Sequence, residues 1–440
     1  MDIHSLYVRF LSCGQSITTD TRKISKGCIY FALKGERFNG NDFAEQAIKE
    51  GASYAVVDDL TPTLSKGEGG IQENYILVKD VLNTLQQLAN YHRRQLNIPI
   101  IGITGSNGKT TTKELIHALL SKKYHTQYTQ GNLNNHIGVP LTILSITPQH
   151  EMAVVEMGAN HQQEIDMLCR IAEPDFGIIT NIGKAHLEGF GGMEGVKKGK
   201  SELYSYLKEK NGTVFLHGDD EVLTDLAKDN MKITYGTNKS YDVVGKCNSN
   251  SLFVELAWRT RHKVVELETA DYIKTNLVGI YNYNNALCAA CVGNFFKVEE
   301  LLINEAIKQY APNNQRSQLK QTENNTLILD YYNANPSSMQ AAIEHFYHAD
   351  APAKMLVLGD MLELGEESIA EHCAIVDLLN EKQLNDYILV GAIFSSLQKE
   401  KSFATAKQAQ AFLEAHPVKN KTILIKGSRG IALEEVVKAL

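Results

Sequence analysis

Three α/β domains are predicted for this chain of 440 residues. Short apolar strands alternate with helix-periodic stretches along nearly its whole length, and the strand at 98–104 runs into a glycine-rich turn and then a helix. Bulk points the same way. With 43% apolar residues, and domains of roughly 100 to 200 residues, a chain of this length buries several cores rather than one. The expected domains are 1–97, 98–310 and 311–440, with Pro312 near the second boundary.

In the first domain CIYFAL (28–33) reads as a strand, followed by a turn around Gly35 to Gly40, a helix in DFAEQAIKEGA (42–52) and a strand in YAVVD (54–58). KGEGG (66–70) reads as a surface loop. The strand YILV (75–78) precedes a helix that Asp80 is placed to cap, with Val81, Leu82, Leu85, Leu88 and Ala89 on its buried face. In the second domain the strand IPIIGIT (98–104) leads into a helix with Leu115, Ile116, Leu119 and Leu120 on one face. With MAVVEMG (152–158) and FGIITNIG (176–183) it makes a parallel sheet. TLILD (326–330), MLVLGD (355–360), YILVG (387–391) and TILIKG (422–427) alternate with helical stretches, a third, Rossmann-like α/β domain.

Composition excludes several classes of function. A formal net charge of -7 leaves no basic field to hold a nucleic-acid backbone or an anionic membrane. MDIHSLYVRFL carries no leader pattern, and no stretch approaches the ~20 apolar residues of a spanning helix. A cytoplasmic protein, without nucleic-acid partner or membrane insertion, is therefore expected. The seven cysteines (13, 28, 169, 247, 288, 291, 373) are odd in number and thinly spread, as reduced thiols are. Cys288 and Cys291 form a C-x-x-C inside the helix-like run NALCAACVG, where core packing is favoured over a redox or zinc pair.

Gly102 to Thr112 reads GITGSNGKTTT between strand and helix, the context of a phosphate-binding loop. Gly105, Ser106, Asn107 and Gly108 would offer backbone N–H groups to phosphate oxygens, Lys109 a point charge, and Thr110 and Thr111 hydroxyls at the helix start. The strict pattern G-x-x-x-x-G-K-[ST] would place glycine at 103, which is isoleucine; glycines stand at 102 and 105. The middle domain is accordingly expected to be a P-loop ATPase domain. Ligands bind where parallel strands end, which singles out Glu156, closing AVVE, and His186, following NIGKA. Glu156 offers an oxygen suited to Mg²⁺; His186 offers a nitrogen ligand or a proton-transfer group. Lys197, Lys198 and Lys200 read as the solvated basic face of a helix.

TGSNGKTTTKE (104–114), GNLNNHIGVP (131–140), VVEMGANH (154–161) and NIGKAHLEGFGG (181–192) occur in order and together resemble the Mur ligases. YNANP (332–336) and GDMLELG (359–365) resemble those members that join D-alanyl-D-alanine to UDP-N-acetylmuramoyl-tripeptide. TDTR (19–22) and FALKGERFNGNDF (31–43) resemble the family's uridine-nucleotide segment, and KGSRG (426–430) its C-terminal end. The resemblance implies an ATP-dependent amide ligase of peptidoglycan precursor synthesis, in which the tripeptide carboxylate takes the γ-phosphoryl group and the resulting acyl phosphate is displaced by an amine. It implies two Mg²⁺ ions, one held by Thr110 and Glu156 and a second by His186 and Lys200, with Lys200 as a carbamate. Asn282 and Asn285 would lie at the adenine, Arg316 near the phosphates and Asp330 at the ribose. Thr19 and Arg22 would serve the uridine side, and Asn134, Asn135, Asn333 and Asn335 the peptide substrates. Lys109, His186 and Lys200 would carry the chemistry, in a protein expected to be a monomer whose C-terminal domain closes about a hinge near 311–316.

Three positions depart from the family pattern: Tyr281 stands in place of histidine, Gln315 in place of glycine before Arg316, and NGN (39–41) in place of DGH. The alternatives are a sister ligase adding a single amino acid, marked by a D-N-P-R tetrapeptide absent here, and a folate polyglutamylating relative, which lacks the N-terminal domain. A nucleotide switch is the reading from a different class; it has no use for the asparagine-rich segments and would hydrolyse ATP without an acceptor.

Overall fold

The computed structural model describes residues 2–36, 38–59, 73–248, 251–263, 267 and 271–440; the loop read at 66–70 lies outside them. The chain forms two compact units, one of Met1–Gly102, Tyr124–Gly158 and Glu164–Phe176, the other of Ile103–Lys123, Ala159–Gln163 and Gly177–Leu440.

In the first unit four strands, Ile17–Thr18, Ile29–Phe31, Tyr54–Val57 and Tyr75–Leu77, lie side by side in that order, all parallel. Ile29, Tyr30 and Phe31 are all buried, the signature of a strand covered on both faces. The helix expected over 42–52 is shorter: a 3₁₀ turn at Gly40–Phe43 precedes the α-helix Ala44–Lys49. Asp80 caps the helix Val81–Arg93 by accepting from Asn83 N at 2.6 Å. Val81, Leu85, Leu88 and Ala89 are buried as read, whereas Leu82 is only half-buried, at the edge of the apolar stripe.

The last turn of that helix is buried although it is polar. Arg93 donates to the carbonyls of Ala172 and Glu173 and pairs with Asp175 at 2.9 Å. His92 Nε2 lies 2.8 Å from the Ile146 carbonyl and Nδ1 3.1 Å from the Tyr7 hydroxyl. Burial pushes the His92 pKa down, so the folded imidazole holds its proton less tightly than the unfolded one, which titrates at about 6.5. The unfolded chain then binds more protons. Stability from this group is complete above about pH 6.5 and falls as pH drops below it. Urea midpoints should therefore decline from about pH 7 to pH 5 in the wild type and decline less in His92→Gln. Equal declines would count against this origin. The same unit carries the parallel pair Thr126–Tyr128 and Met152–Glu156, the latter ending on Glu156.

In the second unit the helix Lys109–Leu120 buries Leu115, Ile116, Leu119 and Leu120 and packs on the helix Tyr281–Phe295. Thr213–His217, Met231–Gly236 and Val243–Cys247 pair in parallel, but Phe253–Thr260 and Ile273–Val278 continue the sheet antiparallel. The antiparallel strands are an addition to the parallel sheet read from the sequence. Ile273–Val278 alternates exposed and buried residues, the pattern of a half-covered antiparallel strand.

The C-terminal stretch forms a six-stranded sheet in the order Gln318–Gln321, Thr326–Asp330, Thr422–Lys426, Lys354–Gly359, Tyr387–Val390, Ser402–Phe403. Only the first strand is antiparallel. Its four central strands are those read from sequence. Leu327, Leu329, Val357, Ile423 and Ile425 line one core face. Cys288 and Cys291 sit fully inside the helix Tyr281–Phe295, where burial pushes the Cys288 thiol up to about 12, so it is an inert core residue. Every cysteine is a free thiol. No described helix is long and apolar enough to cross a membrane.

Candidate functional site

The phosphate loop is held by the segment that follows the strand Phe176–Ile179. Ser106 N donates to Asn181 O at 3.0 Å, and the Ser106 hydroxyl donates to Gly183 O while accepting from Gly183 N, both at 2.9 Å. Asn107 N donates to Asn181 Oδ1 at 3.0 Å, and Thr180 Oγ1 donates to Asn107 O at 2.5 Å. Two glycines are required. Gly105 has φ +138 and an added Cβ would meet Thr180 Oγ1 at 2.0 Å; Gly108, left-handed at φ +80, would meet Asn285 Oδ1 at 2.6 Å. Gly105→Ala is expected to destabilise by about 1–3 kcal/mol and to open the loop. Thermal unfolding together with ATP affinity tests it; an unchanged affinity would contradict it.

Lys109 Nζ folds back to donate to Gly105 O at 2.6 Å and Ser106 O at 3.3 Å. Thr110 and Thr111 are buried at the helix start, 3% and 7% exposed. Below them runs a chain of amides: Thr112 Oγ1 donates to Asn285 Oδ1 at 3.1 Å, Asn285 Nδ2 to Asn282 Oδ1 at 2.9 Å, and Asn282 Nδ2 to Val278 O at 2.8 Å. Asn282 and Asn285 thereby tie the loop helix to its neighbour.

The YNANP segment meets the loop directly. Asn335 Oδ1 caps the helix Pro336–His348 by accepting from Ser338 N, and Asn335 Nδ2 donates to Asn107 Oδ1 at 2.8 Å. Asn333 turns its carboxamide onto Ala334 N at 3.0 Å. Asp330 Oδ1 accepts from Ser317 N at 3.1 Å and Oδ2 from Lys426 Nζ at 2.7 Å. The Arg316 guanidinium stacks 4.0 Å over the Tyr332 ring. Gln315 and Ser317 flank it at φ +60 and +53, so Gln315 takes the left-handed backbone that suits glycine, at a cost of order 1 kcal/mol. Tyr281 replaces an imidazole with a phenol bonded to Ser317 Oγ at 2.9 Å; burial and then the Asp330 charge push its pKa well up, keeping the phenol neutral.

His186, at φ +54, heads the short helix Leu187–Phe190, with Nδ1 2.5 Å from Glu363 Oε2. The adjacent His186 ring holds the Glu363 carboxyl below the usual range. Two residues earlier, Lys184 Nζ donates to Glu371 Oε1 at 2.5 Å and Lys184 N to Ser337 Oγ at 2.9 Å. Lys184, Ser337, Gln340 and Glu371 border a cavity of about 380 Å³. Lys200 is corrected: it is 1% exposed, not part of a solvated face, because it stands four residues after buried Val196. Its Nζ donates to Ala159 O at 3.1 Å and lies 4.9 Å from the Phe190 ring centroid, while Lys198 is exposed as read.

Glu156, Asn134 and Asn135 belong to the first unit. Glu156 is 1% exposed; its Oε1 accepts from Asn134 Nδ2 at 2.8 Å, and its N donates to Thr129 Oγ1 at 2.9 Å. Asn135 Oδ1 accepts from Ile137 N and Gly138 N, opening the helix Gly138–Leu144. Thr19 is half-buried, and the Arg22 side chain, 87% exposed, makes a two-pronged pair with Asp20, whose carboxyl it holds down at about 2. In NGN, Asn41 is structural: Nδ2 donates to Asp58 Oδ1 at 2.9 Å and Oδ1 accepts from Asp58 N at 3.1 Å. Sequence reading missed Glu363, Glu371 and Lys426 as individuals, although the segments of the first and last had been singled out.

This geometry defines a phosphate-loop α/β protein in which an asparagine-capped helix from the C-terminal stretch is fastened to the loop. The chain belongs to the Mur ligase family. The family's catalytic domain matches residues 15–93, its middle domain residues 103–293 and its glutamate ligase domain residues 315–429. The chain is 37% identical to the UDP-N-acetylmuramoyl-tripeptide--D-alanyl-D-alanine ligase of Bacillus subtilis (strain 168), over 96% of its own length and 92% of that protein. A MurF crystal structure from Acinetobacter baumannii matches at TM-score 0.83 and 31% identity, covering 96% of this chain and 92% of that one. The MurF ligase of Thermotoga maritima in complex with ADP also matches at TM-score 0.83, with 26% identity and 97% of both chains covered.

Proposed function

We propose that the chain is the cytoplasmic ligase that joins D-alanyl-D-alanine to UDP-N-acetylmuramoyl-tripeptide at the expense of ATP, in peptidoglycan precursor synthesis. The observation that carries this is its match over 92% of the Bacillus subtilis ligase of that activity. Asn335 on Asn107 supports it, because a segment read as peptide-binding is fastened to the loop where phosphate would sit. The domains 1–97, 98–310 and 311–440 would serve the uridine nucleotide, ATP and the incoming dipeptide in turn, within a monomer.

A carboxylate becomes an acylating agent only when its oxygen can leave. The tripeptide carboxylate attacks the γ-phosphorus, ADP departs, and the dipeptide amine displaces phosphate from the acyl phosphate through a tetrahedral intermediate. Lys109 would move from its loop carbonyls to the β- and γ-phosphate oxygens, while the N–H groups of residues 105–111 close on the triphosphate. Asn282, Asn285, Arg316 and Asp330 would bind the nucleoside side, Asn134, Asn135, Asn333 and Asn335 the peptides, and Thr19 and Arg22 the uridine side. Mg²⁺, when bound, spreads the charge of the transferring phosphoryl group. Thr110 in one unit and Glu156 in the other are each a buried hard-oxygen donor of the kind Mg²⁺ takes, 3% and 1% exposed. His186 would offer a nitrogen, and Lys200 could join only as a carbamate, since an ammonium has no lone pair. Among the described residues no group of three His, Cys, Asp or Glu is placed to hold a metal.

Phosphate release tests the reading. Release is expected only when both substrates accompany ATP and Mg²⁺, with a product of their summed mass less water. Equal turnover without them would favour a nucleotide switch.

A further inference from the structure

Two acidic residues of the C-terminal stretch reach the segment that carries His186. Glu371 binds Lys184, a neighbour of the phosphate-loop stitch at Gly183, and Glu363 reaches His186 itself. The second contact is unusual. At 2.5 Å from a carboxylate oxygen two lone pairs would repel, so Nδ1 must carry a proton. In the neutral ring that leaves Nε2 as the atom able to donate a lone pair to an electrophile, as in the carboxylate–imidazole pairs that orient ligating histidines. The local backbone is held in uncommon shapes on both sides: His186 at φ +54 and Glu363 at φ +64, neither of them glycine. Such conformations persist where the surrounding structure over-determines them. An added Cβ on Gly365, two residues on, would lie 3.3 Å from Glu188 Cβ, so the two segments pack closely along their length.

We propose that Glu363 is a positioning residue for the ligase reaction: it fixes His186 in the Nδ1–H form with Nε2 turned to the reacting phosphates and their counter-ions, so that docking of the C-terminal stretch completes the site. This rests on the reading of His186 as a ligand-facing residue. Glu371, which makes the parallel contact to Lys184 without touching the imidazole, is the control for docking alone.

The test uses the full chain with ¹⁵N-labelled histidine, with the His186 ring assigned by its loss in His186→Asn. At mildly alkaline pH the wild type and Glu371→Ala are expected to show the Nδ1–H tautomer, and Glu363→Ala a mixture. In ligation kinetics Glu363→Ala should lower kcat and raise the Mg²⁺ requirement by about 10–100-fold while leaving KM for the UDP-linked tripeptide unchanged. Glu371→Ala should not raise the Mg²⁺ requirement. An Nε2–H tautomer in the wild type, a Glu363→Ala protein that matches it, or one that binds Mn²⁺ more tightly because a competitor has gone, would each overturn the proposal. Wild-type ligation by His186→Asn would overturn the reading on which it rests, and the tautomer measurement separates the two failures.

Discussion

Lys109→Ala is expected to lower ATP-dependent ligation by on the order of 10³-fold, about 4 kcal/mol of transition-state stabilisation. The side chain is poised rather than remote: its ammonium sits on the Gly105 and Ser106 carbonyls at 2.6 and 3.3 Å, within the concavity that the loop N–H groups would close on phosphate. Exchanging carbonyl partners for phosphate oxygens strengthens each bond, because charge-assisted pairs exceed neutral acceptors. The gain grows as negative charge spreads over the equatorial oxygens in the transition state, so kcat should fall more than ATP affinity. Lys109→Arg should restore little, since a planar fork does not fit a concavity shaped for a point charge. Stopped-flow phosphate release with saturating substrates measures both. Retention of more than about a tenth of the wild-type rate would mean that the loop is a structural glycine turn.

Lys426→Ala should cost about 3–5 kcal/mol, the usual consequence of removing one partner of a buried pair. Asp330 and Lys426 end adjacent parallel strands in direct register, and their side chains are 12% and 4% exposed at 2.7 Å. Without Lys426 the carboxylate keeps the Ser317 amide at 3.1 Å and the neutral Tyr281 phenol beside it, too little to replace a cation in a low-dielectric site. Urea denaturation of the full chain, followed by far-UV circular dichroism, gives the loss. The double variant Asp330→Asn/Lys426→Met should recover most of it, because the pair's desolvation penalty disappears with the pair. A single variant as stable as wild type would show that water already reaches Asp330.

The phosphate loop was legible because its chemistry is local: glycine, lysine and threonine act within one strand–turn–helix, and backbone sterics alone require Gly105 and Gly108. The four C-terminal strands were legible for a related reason, as strands covered on both faces read as unbroken apolar runs. The antiparallel strands after Val243 escaped notice because half-covered strands carry a weaker apolar signal. Charge alone reads Lys200 as solvated, and only the resemblance sets it apart from Lys197 and Lys198. Helical periodicity says which residues share a face but not whether a lysine on that face meets water, and here the ammonium finds the Ala159 carbonyl and an aromatic ring.

By itself, then, the sequence determined the α/β class, the strand–loop–helix that would bind phosphate, and the family to which the chain belongs. Each rests on residues close together in the chain or on motifs met in order. Only the tertiary structure decided that Asp330 answers Lys426, that Asn335 fastens onto Asn107, and that Glu363 stands against His186. Those partners lie many tens of residues apart, and what brings them together is the burial of apolar sheet faces, which carries no information in the polar residues themselves until the strands are in register.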